Sequence, residues 1–177
     1  MRKVLALAAL LLVAVPPLWT AASACGDKFL LIGRGGRFNQ VYAAIYPATI
    51  LLYGPAGRAA SAAILDPKFQ ANLTRAGHRV EVVKDEAQVG PLLQAGRFDL
   101  VLSDVADVEP LKVKAALSSS QPTVMPVMFN PSKAEAEAIK TQYRCDLQPA
   151  DRPARYLSTI DDEMQRRVKA RAVKKAS

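Results

Sequence analysis

Phe98-Asp99-Leu100-Val101-Leu102-Ser103-Asp104 decides the fold of this chain. The run is short, continuously apolar at its centre and bounded by charged residues. A strand reads this way when both of its faces are covered by other elements. It closes on a carboxylate, and open α/β sheets place their ligand sites at the carboxyl ends of their strands. Asp104 is therefore the first candidate site residue.

Similar runs lie on both sides of it. Thr49-Ile50-Leu51-Leu52-Tyr53 is closed by Gly54-Pro55, and Arg79-Val80-Glu81-Val82-Val83 follows Gly77-His78. Residues 122–129 form a fourth run. Pro126 inside it removes a ladder donor and predicts an edge or a bulge. Tyr143 to Leu147 is a fifth run. Between them lie helical patterns over 59–65 and 67–75, from Asp85 to Leu93, over 108–117 and over 131–142. Asp66 and Asp85 stand at N-cap positions, and Gly77 and Gly96 at C-terminal ends. A last helix spans 153 to about 172, with Tyr156, Leu157, Ile160, Met164 and Val168 on one stripe. Strands alternating with helices of this length imply parallel pairing. The expected fold is α/β: a five-stranded parallel, doubly wound sheet in the order 2-1-3-4-5, flanked by helices.

The N-terminus reads as an export signal over residues 1–24. Arg2 and Lys3 precede an apolar run of 12 residues, Val4 to Val15, and then Pro16-Pro17 and the small-residue site Ala22-Ser23-Ala24. The run is short for a bilayer, which needs about 20 residues. Trp19 belongs to this leader. Residues 25–47 are expected as a helical extension, with helix-compatible spacing over 27–32 and 38–46. The Gly33-Arg34-Gly35-Gly36-Arg37 stretch between them lacks the Lys-Ser/Thr of a phosphate loop and marks a bend. Residues 48–172 make the main domain and 173–177 a basic tail.

Cys25 has competing readings. Directly after a small-residue site it fits lipidation, which would tie the protein to a membrane. In an oxidising compartment it fits a disulfide with Cys145. A lipidated Cys25 cannot pair, and a third reading leaves both thiols free.

The formal charge of +8 is uneven, because Arg166, Arg167, Lys169, Arg171, Lys174 and Lys175 follow the last acid, Glu163. Such a run can meet phosphate groups. The plainer reading is a solvated helix end, where cations are favourable. Export argues against a nucleic-acid partner.

Three of these passages resemble the receiver domain of two-component response regulators over about residues 48–170. They are Thr49–Tyr53, Gly77-His78-Arg79-Val80-Glu81-Val82-Val83 and Arg97-Phe98-Asp99-Leu100-Val101-Leu102-Ser103-Asp104. The resemblance implies a flavodoxin-like fold with Asp104 at the phosphoacceptor position. It also implies an acidic pair after the first strand, a Thr or Ser ending the fourth and a Lys-Pro after the fifth. Here those places hold Gly54-Pro55, Val127 or Met128, and Gln148-Pro149. Asp104 is thus expected as a vestigial phosphoacceptor, a partly exposed carboxylate that bonds loop backbone groups or caps the following turn. Asp85 and Asp107 are acids near the site but off the family's positions.

No other chemistry is legible. The chain has one histidine and two cysteines, so no zinc-like cluster is expected, and no cofactor. His78 reads as a surface turn residue, Cys145 as buried or bridged, and Met125 and Met128 as core. The leading expectation is an exported, non-catalytic interaction or sensing module that meets a protein partner through residues 131–168. The alternative is a small-ligand-binding or enzymatic domain using a crevice at Gly54, Pro55, Asp104, Asn130 and Gln148. A phosphoaccepting receiver comes third.

Overall fold

β3 (Thr49–Tyr53) and β5 (Leu100–Asp104) lie side by side at the centre of a parallel sheet. The computed structural model describes residues 29–34, 37–143, 147–149 and 151–176. β4 (Arg79–Val83) flanks β3, and β6 (Thr123–Val127) flanks β5, giving the order β4-β3-β5-β6. The molecule is an α/β fold with a four-stranded parallel sheet covered by helices.

Strand side chains point alternately to opposite faces, and the core divides accordingly. Ile50, Leu52, Leu100, Leu102 and Met125 pack beneath α1 (Ser61–Ile64), α2 (Pro67–Arg75) and α6 (Pro153–Ala176). Leu51, Tyr53 and Val101 pack against α3 (Glu86–Gln94) and α4 (Val108–Ala116) on the other face. Met125 and Met128 are buried, as expected. α5 (Lys133–Tyr143) buries none of its residues.

The caps are where the sequence places them. Asp66 accepts the Lys68 amide at 2.8 Å with Pro67 opening α2, and Asp85 accepts the Ala87 amide at 3.0 Å. Gly77 and Gly96 take left-handed φ values of 103° and 70°. Pro126 sits within β6, and its carbonyl faces away from β5 to accept the Leu147 amide at 3.1 Å. Its missing N–H is therefore on the outer side of the ladder, where none of β5's bonds is lost.

Four expectations are corrected. The fifth strand does not begin at Tyr143, which ends α5; Leu147 forms a parallel bridge with Val127, and 144–146 lie outside the described residues. The N-terminal extension is β, not helical: β1 (Phe29–Arg34) and β2 (Arg37–Tyr42) pair antiparallel, with Arg34 opposite Arg37. That register leaves two residues of connection, Gly35-Gly36, and Gly-Gly between two such runs is a hairpin signal that outweighs helical spacing. α6 continues through Ala176, so the supposed basic tail is mostly helix. Its stripe is buried at Tyr156, Leu157, Ile160 and Met164 but exposed at Val168. His78 is the fourth, and is treated with the site. The leader, Cys25 and Cys145 lie outside the described residues.

Candidate functional site

The sheet reverses its winding between β3 and β5, and their carboxyl ends hold the candidate crevice. Asp104 ends β5 and is buried. Its Oδ1 accepts the Ala106 amide at 2.9 Å, capping the 3-10 turn Val105–Asp107. Its Oδ2 accepts the Ala60 amide, also at 2.9 Å, and so fastens the 54–60 loop over the end of the sheet. Each carboxylate oxygen thus has a backbone donor. This is the local side-chain-to-backbone bonding for which short acids are suited.

The loop is tied at two further points. The Ser61 hydroxyl donates to the Pro55 carbonyl at 2.5 Å, and the Gly54 amide donates to the Val83 carbonyl at 3.0 Å. Gly54 is needed for close packing, since a Cβ there would stand 2.9 Å from Leu65 Cγ. Beyond the loop, Arg58 reaches over to Asp107. Its Nε donates to both carboxylate oxygens at 3.0 and 3.1 Å, and its terminal nitrogen to Oδ1 at 2.7 Å. The hydrogen bonds and charge of Asp107 raise the Arg58 pKa, while burial and the Asp107 charge raise that of Tyr53.

A cleft of about 220 Å³ opens beside Asp104, between the ends of β5 and β6 and the start of α5. Val105, Val127, Met128, Phe129 and Ile139 make its wall largely apolar, and Glu135 is a second acid on it. Glu135 is also engaged: its Oε2 accepts the Ser132 amide at 2.8 Å while its own amide donates to Ser132 Oγ at 3.3 Å. This reciprocal capping box holds the Glu135 carboxyl below its ordinary pKa, chiefly through the Ser132 backbone bond.

The structure brings Asp104 into this cleft but not the other candidates. Gly54 is buried under Leu65, and Pro55, Asn130 and Gln148 do not line the cleft. Asn130 is an exposed turn residue with a φ of 47°, and Gln148 is half-buried and engaged beyond the outer edge of β6. The residues present do not fit a divalent cation beside Asp104. Gly54 and Pro55 bring no side-chain oxygen, both Asp104 oxygens face amide N–H groups, and Arg58 occupies Asp107. Asp85 is spent on the α3 cap. Among the described residues no three His, Cys, Asp or Glu side chains converge as a metal site.

The chain matches no family model, no curated protein and no solved structure.

Two polar groups elsewhere escaped the sequence reading. His78 was expected on the surface but is 2% exposed. Its Nδ1 accepts the Ala48 amide at 3.2 Å, while Nε2 is buried with no hydrogen-bond partner among the described residues. A ring that accepts at Nδ1 carries its proton on Nε2, and burial lowers its pKa further. The imidazole packs inward because the Gly77 turn lays it between Ala48 and the core. Asp161 of α6, also buried, accepts the Tyr42 hydroxyl at 2.6 Å and the Ile45 and Tyr46 amides at 3.2 Å each. Burial and this bond raise the Tyr42 pKa. The three partners of Asp161 lie 119, 116 and 115 positions away, so no local pattern signals the site.

Proposed function

We infer that this is an exported, non-catalytic module on a receiver-like scaffold, acting through interaction or sensing rather than phosphotransfer. The observation that carries the reading is that both Asp104 oxygens are held by backbone amides, those of Ala60 and Ala106. A phosphoacceptor needs a free oxygen to attack and a cation to neutralise the charge that develops. Asp104 instead serves as a staple, and Arg58 on Asp107 closes the adjoining space. The strand order β4-β3-β5-β6 agrees with the first four places of 2-1-3-4-5. The Val127–Leu147 bridge supports a fifth place at the same edge. The residues that resemble a leader, Arg2 to Ala24, support export. α5, which buries nothing, supports a partner surface within residues 131–168.

The test is mass spectrometry of the purified protein after incubation with a small phosphodonor and magnesium. The expected result is no phosphoryl adduct in wild type or Asp104→Ala. An adduct present in wild type and absent from Asp104→Ala would overturn the reading. The intact mass with and without reductant reports leader removal, a lipid on Cys25, or a Cys25–Cys145 bridge in the same experiment.

A second reading, a small-ligand binder, is favoured by the apolar cleft beside Asp104. Its volume of about 220 Å³ is below the usual range for drug-sized ligands. Only a small, mainly apolar molecule suits it, and a thermal-shift screen of such compounds with Ile139→Ala as control tests it.

A further inference from the structure

The end of the sheet opposite Asp104 carries another concavity. A groove of about 350 Å³ lies between the loop 117–122 and the second half of α6. Ser120, Gln121, Thr123, Arg167, Arg171 and Lys174 line it, with the Glu163–Arg166 ion pair at its margin. The three inner cations share a helix face because 167, 171 and 174 follow i, i+4, i+7 spacing.

Arg167 is not a solvated cation of a frayed helix end. The Arg167 side chain is only 10% exposed. Its terminal nitrogens donate to the carbonyls of Gln121, at 2.6 Å, and Ser120. Its Nε is buried without a hydrogen-bond partner among the described residues, 3.9 Å from Asp99 Oδ1. Arg171 donates to the same Ser120 carbonyl at 3.2 Å and stands 3.6 Å from the same Asp99 oxygen. Two guanidinium groups therefore share one carbonyl and one carboxylate oxygen. Burial and the Arg171 charge push the Arg167 pKa down, the Asp99 and Glu163 charges opposing this only in part. Lys174 has no ion-pair partner among the described residues. Four cations face two carboxylates here, Asp99 and Glu163.

The opposing wall is preorganised. Ser118 is buried, and its hydroxyl donates to the Leu93 carbonyl at 2.5 Å and lies 3.1 Å from Ser120 Oγ. Gln121 is held at a φ of 45°, a left-handed conformation costly for a residue with a side chain. Strain of this kind persists only where surrounding contacts over-determine it.

We propose that this groove is an anion site for a phosphate group carried by a small organic substituent. A phosphate offers several oxygens, enough to engage Arg171, Lys174 and the Thr123 hydroxyl together, where a carboxylate offers two. Guanidinium groups match its geometry in pairs of parallel bonds. An anion seated there relieves the repulsion between Arg167 and Arg171. The proposal is independent of the crevice at Asp104. The phosphate can belong to a free metabolite or to the headgroup of an anionic lipid, and the chemistry of recognition is the same.

Two arms of one experiment distinguish the sources. In the first, glycerol phosphate is titrated into the purified full chain at constant ionic strength and binding is read calorimetrically. In the second, the protein is sedimented with phosphatidylglycerol-containing vesicles and with all-phosphatidylcholine vesicles, and the difference is read. Lys174→Gln and Arg171→Gln are compared with Lys169→Gln, which removes the same charge from an exposed position outside the groove. In whichever arm binds, Lys174→Gln and Arg171→Gln are expected to weaken affinity about tenfold, and Lys169→Gln to leave it unchanged. Lys174 is exposed, so its variant folds as wild type even if Arg171→Gln does not. Binding in the first arm assigns a soluble phosphate, and binding in the second alone assigns a lipid headgroup. No binding in either arm, or equal weakening by Lys169→Gln and Lys174→Gln, overturns the proposal.

Discussion

The two ends of the parallel sheet handle charge in opposite ways. At the carboxyl ends of β3 and β5, every acid of the crevice is met by a donor of the protein itself. Asp104 takes two backbone amides, Asp107 the Arg58 fork and Glu135 its capping box. At the amino ends, positive groups outnumber their partners, and Arg167 and Arg171 compete for the same oxygens. An open α/β sheet is expected to work at its carboxyl end. Here the acids of that end are spent on the protein's own donors, and the unbalanced charge lies at the other. Where a fold usually works is therefore a weaker guide than which polar groups are left unsatisfied.

The sharpest way to break this comparison is at Asp104. Asp104→Ala strips the acceptor from two backbone amides, one of them at the buried Ala60. It is expected to cost about 3 kcal/mol in urea unfolding. A loss below about 1 kcal/mol, within the range of a single exposed hydrogen bond, would mean the carboxylate is not structural and is free for another use. Gly54→Ala comes next. The new methyl meets Leu65 and should cost about 2 kcal/mol by overpacking, with Leu65→Ala in the same chain restoring part of it.

A smaller effect is expected where α6 holds the segment after the hairpin. Tyr42→Phe removes one of three donors to Asp161, at a cost of about 1 kcal/mol. Hydrogen exchange should quicken first at the Ile45 and Tyr46 amides. Exchange rising equally across β3 and β5 would show instead that Asp161 supports the whole sheet.

The mildest effect is a pH slope at the amino end, from His78. Its folded pKa lies below the ordinary 6.5 because burial disfavours the charged ring, the Asp161 charge opposing this only in part. Well above that value both folded and unfolded chains are neutral there, and His78 adds no slope. As pH falls through it, the unfolded chain binds a proton that the folded chain refuses. Stability therefore declines, and levels off once the folded pKa is passed. Denaturation midpoints at about pH 7.5 and pH 5.5 should differ more in wild type than in His78→Gln, which cannot titrate. Equal differences would place the slope on other groups.

Much of the fold was readable because it depends on local pattern. Continuous apolar runs marked β3 and β5, Asp66 and Asp85 announced the caps, and Gly77 and Gly96 the helix ends. Pro126 foretold a one-sided strand. The hairpin is hard to read locally because Phe38, Val41, Tyr42, Ile45 and Tyr46 follow helical spacing while Phe38 to Tyr42 lacks clean strand alternation, and only Gly35-Gly36 points to a hairpin. Tyr143 belongs to α5 rather than to a fifth strand because the helix beginning after Pro131 runs on through it, and nothing in the local pattern stops it earlier. The bonding of Asp104 to loop backbone and its cap on the following turn are legible from its position, but its burial, where partial exposure is expected, and the choice of Ala60 are not. His78 was misplaced because a turn residue's depth depends on what packs over it.

The amino-acid sequence by itself determined the alternation of strand and helix, the ends of most elements and the pile-up of cations after Glu163, since each follows from spacing, backbone conformation and charge along the chain. Only the tertiary structure decided which groups are satisfied. Ala60 reaches Asp104, Tyr42 reaches Asp161, and Ser120 faces Arg167 across 44, 119 and 47 positions. Desolvation and hydrogen bonding act through space over a few ångströms, and no periodicity records distances of that kind.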